Sequence, residues 1–315
     1  MSEDFRNFPT YNQAIKGIEK LKNIEWPIFE NFKQTEDYVK AIEDIIFQEF
    51  EIIPSALQFF KPDKFNLSIF RARETSTFKN IDLISEHSYP PLNITSFGRC
   101  NFPENPVFYG SDHPITCLLE IIRESDYKEK EFCLTKWEIL KSDTPVAIQP
   151  FFHSGLPKEN GFSAIKEMET LKLDETFENK LDLDKKAGLL KLLDFFRTTF
   201  ITDAKHKLSA AIAYNFLYAK HNLRTDILMY PSIYTQLTGM NMAISPNFVD
   251  NQMQLKRLYK IKITDINKQD KKYKLSIGEY AYVEKNVIMW NTFKKNDKQF
   301  EKFFSLDLKS YLNLS

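Results

Sequence analysis

Gly98-Arg99-Cys100-Asn101-Phe102-Pro103, then Val107-Phe108-Tyr109-Gly110-Ser111, then Leu118-Leu119-Glu120: the reading of this chain turns on that stretch. A Gly-Arg-x-Asn turn leads into a short apolar run, Pro106 to Tyr109, that reads as a strand. Ser111 and Asp112 are plausible N-caps and Pro114 suits a first helical turn, so a helix is expected to begin there. Ile115, Leu118, Leu119 and Ile122 recur at helical spacing and mark its buried face. Turn, strand and helix thus follow one another directly, each carrying one polar residue of interest: Arg99, Tyr109 and Glu120.

Upstream, Asn66 to Arg73 alternates and predicts a strand from about Phe65, ending in Phe70-Arg71-Ala72-Arg73. Residues 75–97 are polar, broken by Tyr89-Pro90-Pro91, and read as a long loop. Residues 10–60 read as helices. Tyr11, Ile15, Ile18 and Leu21 mark one; Tyr38, Ala41, Ile42, Ile45 and Ile46 mark a second, which Pro54 ends. Downstream, Glu131 to Leu140 alternates, while 150–186 is charged and irregular and reads as loop with short helices. Lys186 to Lys220 is strongly helical, in two helices. Asp226 to Tyr230 is a short buried strand before Tyr230-Pro231-Ser232. Tyr259, Ile261 and Ile263, and then Tyr273, Leu275 and Ile277, alternate as half-buried strands. Strands interrupted by helices and long loops predict an α+β fold.

The 315 residues are enough for one large domain or two ordinary ones, with a substantial core. Basic and acidic residues balance at 43 each, which argues against non-specific nucleic-acid binding. Cys100, Cys117 and Cys133 form no ligand or redox pair, and so few cysteines suit a reducing compartment. The first residues carry acids and no apolar run, so no secretory signal is expected, and no run of about 18 apolar residues predicts a membrane span. A cytoplasmic location is the default expectation. No phosphate-binding glycine motif occurs. The five histidines show no metal-ligand spacing, so no metal is expected.

Taken singly, the polar residues have ordinary readings. The helical wheel places Glu120 off the apolar stripe, as a solvated glutamate. Tyr109 is a packed strand residue and Ser232 a turn residue or cap. Arg71 and Arg73 are exposed positions on an edge strand. Cys100 is a small buried residue, and His87 with Glu86 could line a cleft.

Together, and in this order, they resemble the RES-domain family, which takes its name from an arginine, a glutamate and a serine. Phe70-Arg71 matches its aromatic-arginine strand end, with Arg73 the competing arginine. Gly98 to Asn101 matches its turn, Tyr109 its tyrosine and Glu120 its helical glutamate. Ser232 matches its Tyr-Pro-Ser serine, with Gly239 to Ala243 beyond it. The resemblance covers about 65–290, looser over 123–186, which reads as a variable insertion. It leaves 1–64 as an N-terminal helical extension and 291–315 as a C-terminal one.

The resemblance implies a split, mixed β core like that of ADP-ribosyltransferases, flanked by helices. It also implies an enzyme that degrades NAD+ by phosphorolysis, giving ADP-ribose 1″-phosphate and nicotinamide, with NAD+ and inorganic phosphate as substrates and no cofactor. An antitoxin partner is implied as well. Arg71, Tyr109, Glu120 and Ser232 are then the expected catalytic residues, and Arg99, Asn101 and Tyr230 the expected substrate-binding ones. Such chemistry needs a carboxylate near the ribose, where positive charge develops, and arginine for phosphate. Hydrolysis, ADP-ribose transfer to a protein, and a non-enzymatic binding module remain alternatives.

Overall fold

The structure, a computed structural model, describes residues 7–63, 67–123, 126–177, 180–218, 225–267 and 272–309. Phe65, Asn66, Lys220 and His221 fall outside these. Among the described residues there are eight α-helices and ten β-strands, with parallel and antiparallel pairing, so the fold is mixed α+β. The chain forms two compact units, each built from separated segments.

The first unit takes residues up to Phe59, Pro91–Pro106 and Ala147–Pro231. Helices α1 (Tyr11–Asn23) and α2 (Thr35–Phe50) pack on α5 (Leu183–Thr202) and α6 (Lys207–Leu217) respectively. Thr10 and Gln13 form a capping box that starts α1, satisfying backbone donors the helix cannot. The buried stripe of α1 is Ala14, Gly17, Ile18 and Leu21, rotated from the expected one because Tyr11 faces solvent. A Cβ on Gly188 of α5 would lie 2.1 Å from the Pro9 carbonyl oxygen, so only glycine admits this approach. The strands follow the order β1 (Gln58–Phe60), β5 (Val146–Pro150), β6 (Ile227–Pro231), with β5 and β6 parallel. The expected irregular region contains a 15-residue helix, α4 (Ser163–Phe177). Its one buried residue is Glu169, paired with Arg197 of α5 at 2.7 Å. An ion pair docks this helix, so no apolar stripe announced it.

The second unit takes Phe60–Pro90, Val107–Val146 and the chain from Ser232 on. Its strand order is β7 (Met240–Ile244), β3 (Phe108–Ser111), β2 (Ser68–Glu74), β4 (Glu131–Ile139), β8 (Met253–Asn267), β9 (Lys272–Glu284), β10 (Val287–Thr292). The registered neighbours are antiparallel. Seven residue pairs register β2 on β4, but β2 meets β3 only at Phe70↔Ser111, so these two strands diverge. Helices α3 (Pro114–Ile122) and α8 (Lys298–Asp307) contribute to one apolar core with Phe70, Ala72, Leu134, Tyr259 and Ile261.

The units do not follow the linear division into 1–64, 65–290 and 291–315. The first 59 residues share a unit with 147–231, and α8 belongs to the core that holds α3. Among the described residues, no helix is long and apolar enough to cross a membrane.

Candidate functional site

Helix α3 positions Glu120. His113 is its N-cap, with Nδ1 accepting from the Ile115 N–H at 3.1 Å, and Pro114 follows in the first turn. The cap is therefore neither Ser111, which is still in β3, nor Asp112, whose Oδ1 accepts from the Met240 N–H at 2.8 Å. Glu120 is only half-buried, as its wheel position implies, but it is not solvated on all sides. Its Oε1 accepts from the Ser232 hydroxyl at 2.6 Å and from the Asn241 side-chain amide at 2.5 Å. The Ser111 hydroxyl in turn donates to Asn241 Oδ1 at 2.9 Å. Glu120 Oε2 has no hydrogen-bond partner among the described residues and is not sealed from solvent. The carboxylate is thus anchored by one oxygen and open at the other.

Ser232 is 0 % exposed, and its proton is committed to Glu120. The hydroxyl is held inward, toward Glu120. Its turn is over-determined: Ser232 N–H donates to the Gly239 carbonyl, Leu237 N–H to the Ser232 carbonyl, and Gly239 N–H to Thr235 Oγ1. Those bonds hold Gln236 and Leu237 in left-handed conformations, at φ 53° and 65°, which non-glycine residues adopt at a cost. A Cβ on Gly239 would lie 2.0 Å from Thr116 Oγ1, so glycine lets this turn close on α3.

Arg71 Nη1 donates to the Tyr109 carbonyl at 2.8 Å, where β2 and β3 diverge, and the guanidinium lies 5.2 Å from the Phe108 ring centre. Its Nε is buried and has no hydrogen-bond partner. Burial lowers the guanidinium to about 10, so it remains a cation at neutral pH. Burial also lifts the Cys117 thiol to about 12, and that thiol lies within electrostatic reach of both Arg71 and Glu120. Strand register sets Tyr109, Ser111 and Asn241 on the sheet face that carries Phe70 and Ala72, whereas Arg71 leaves β2 on the opposite face. Tyr109 itself is half-buried.

Arg73 is fully engaged elsewhere. It donates to Thr77 Oγ1, to the Thr77 carbonyl and to the Glu86 carbonyl, and it stacks 4.4 Å from the Phe78 ring centre. It organises the loop after β2, which leaves Arg71 as the arginine with a spare donor. His87 is buried with Nε2 at 2.8 Å from the Ile81 carbonyl, and Glu86 pairs with Arg73, so both serve that loop. Arg99, Asn101 and Tyr230 belong to the other unit. Arg99 donates to the Phe200 carbonyl, Tyr230 packs edge-on against the Phe200 ring at 5.5 Å, and Asn101 donates to the Ser96 carbonyl at 2.5 Å. Each supports structure within its own unit.

The structure therefore joins Glu120 to Ser232 side chain to side chain, whereas Arg71 reaches only the backbone carbonyl of Tyr109 and its side chain lies on the opposite sheet face. It adds Asn241 and Ser111, which sequence reasoning did not assign to the site. The signal for Asn241 lay in Met240-Asn241-Met242-Ala243-Ile244: a lone amide in a buried apolar strand must find a partner.

The chain matches no protein-family model and no curated protein sequence. A functional reading rests on this geometry and on the motifs that resemble the RES-domain family.

Two neighbours at the head of α3 titrate in opposite senses. Burial raises Asp112 to about 7 and lowers His113 to about 4. Unfolded, Asp112 loses its proton near pH 4, so the folded protein holds the extra proton up to about 7, and this group lowers stability as pH rises through that window. Unfolded His113 gains a proton near 6.5 while the folded ring stays neutral to about 4, so this group lowers stability as pH falls. The two slopes largely cancel between about pH 4 and 6.5. Relative to wild type, Asp112→Asn should gain stability as pH rises, and His113→Asn should gain it as pH falls, each by at most about 1.4 kcal/mol per pH unit. Urea midpoints across that range check this; variant curves parallel to wild type would contradict it.

Proposed function

We propose that the chain cleaves the bond between nicotinamide and ribose in NAD+, with inorganic phosphate as the acceptor. The observation that carries this reading is the Glu120 carboxylate, held by two donors on Oε1 and open at Oε2. A carboxylate fixed in this way suits a reaction whose barrier is the positive charge building on the ribose carbon. Nicotinamide departs with the electron pair of the broken C–N bond and becomes neutral, so it needs no acid. A phosphate oxygen forms the new bond to that carbon, giving ADP-ribose 1″-phosphate.

In this proposal Glu120 Oε2 faces the ribosyl cation. Arg71 keeps its positive charge and braces the Tyr109 carbonyl from the opposite sheet face; its buried Nε–H does not reach the phosphate directly. Tyr109 lies against the nicotinamide riboside. Ser232 acts through Glu120, since its hydroxyl is buried and points there. The resemblance to toxin-like members further suggests an antitoxin protein that covers the site.

The test is to incubate the purified protein with NAD+, with and without phosphate, and to identify products by mass spectrometry. Nicotinamide and ADP-ribose phosphate formed only with phosphate are expected. ADP-ribose in both samples would make water the acceptor. ADP-ribose mass on an added protein would indicate a transferase. Intact NAD+ throughout would remove the proposal.

A further inference from the structure

We infer that Asn241 and Ser111 are positioning residues that set the rotation of the Glu120 carboxylate, with Oε1 turned inward and Oε2 outward. The consequence for turnover rests on the NAD+-cleaving reading; the geometry does not.

The direction of every hydrogen in this relay follows from chemistry. A carboxylate only accepts, so Asn241 must present its amide N–H to Glu120. Its carbonyl oxygen then faces Ser111, whose hydroxyl must donate. Reversing the amide would set a carbonyl against the carboxylate and leave the Ser111 proton facing an N–H group. The relay therefore has one low-energy arrangement, and it ends on a single oxygen of Glu120.

A purely structural role would not require these residues. Strands β3 and β7 are already joined by their backbone ladder, which pairs Tyr109 with Ala243 and Ser111 with Asn241. Ser111 is 2 % and Asn241 6 % exposed, in strands where apolar residues would pack without any polar group to satisfy. These two buried side chains lead, through the Asn241 amide, to the half-exposed carboxylate.

The test uses the full chain as Asn241→Ala, Ser111→Ala, Glu120→Gln, and Asn241→Ala combined with Glu120→Gln. The first readout is independent of NAD+: the carboxyl-carbon NMR signal of Glu120, identified by its loss in Glu120→Gln. It should move in both Asn241→Ala and Ser111→Ala, and an unmoved signal overturns the inference. The second is nicotinamide release. Asn241→Ala should lower kcat about a hundredfold, with KM for NAD+ little changed. Added to Glu120→Gln, it should lower the residual rate no further. A full additional loss in that background overturns the inference, because Asn241 would then act apart from Glu120. Ser111→Ala removes one hydroxyl and carries the test if Asn241→Ala does not fold. Wild type inert toward NAD+, with the signal still moving, would remove the proposed reaction and leave the positioning intact. Active wild type with an unmoved signal would do the reverse.

Discussion

Glu120→Gln is expected to cut NAD+ turnover at least about a hundredfold while NAD+ binding survives. The substitution preserves the local structure for a specific reason. The glutamine carbonyl oxygen can take the place of Oε1 and still accept from Ser232 and Asn241, two donors that hold the amide in one orientation. The NH2 group then stands where Oε2 was, so the change is confined to the outward side. A negative charge becomes a neutral donor at the position proposed to face the ribosyl cation. Chromatography of released nicotinamide measures turnover, and calorimetric titration with NAD+ measures binding. Near-normal turnover in a folded Glu120→Gln protein would sink the proposed mechanism.

The largest stability effect is expected at Asp307, where Asp307→Ala should cost about 3–5 kcal/mol. Asp307 ends α8, is 0 % exposed, and collects four donors from two adjacent strands. Lys136 Nζ donates to its Oδ1 at 3.0 Å and Arg257 Nη2 at 2.7 Å; Tyr259 donates to its Oδ2 at 2.7 Å, as does Arg257 Nε. Removing the carboxylate leaves two cations, one of them the buried Lys136, with only the half-exposed Glu138, at 3.3 Å from Lys136 and 4.0 Å from Arg257. The neighbouring Phe300 and Leu308 belong to the core that also holds Leu118 and Leu119 of α3. Loss of the anchor should therefore loosen the helix that carries Glu120. Urea unfolding followed by circular dichroism reads the midpoint. A midpoint within experimental scatter of wild type would mean that Glu138, which also pairs with Lys136, takes over as counter-ion.

Much of the fold was legible where a local period matched a local environment. Helix α3 announced itself through Pro114 and the Ile115, Leu118, Leu119, Ile122 stripe, all of them buried. Strand β2 followed from its alternation, and α5 with α6 from their apolar faces. Elements held by other forces were missed. Helix α4 docks through the Glu169–Arg197 pair and has no apolar stripe to read. Strand β7 is buried at every position, so it shows no alternation. Helix α8 is anchored by Asp307, a residue type that sequence reading assigns to the surface.

The candidate site divides in the same way. Sequence alone determined that an arginine, a tyrosine, a glutamate and a serine stand on a strand, a second strand, a helix and a turn in that order, although Arg71 lies mid-strand and not at the expected strand end, because chain order and local periodicity are properties of neighbouring residues. Only tertiary structure decided that Glu120, off its helix's apolar stripe, meets Ser232 and Asn241. It also decided that Arg73 is tied into a loop while Arg71 keeps a spare donor, and that Ser111 is a relay and no cap. Those contacts join residues more than a hundred positions apart, or depend on which partner reaches a group first. Helical and strand periods carry no information about either.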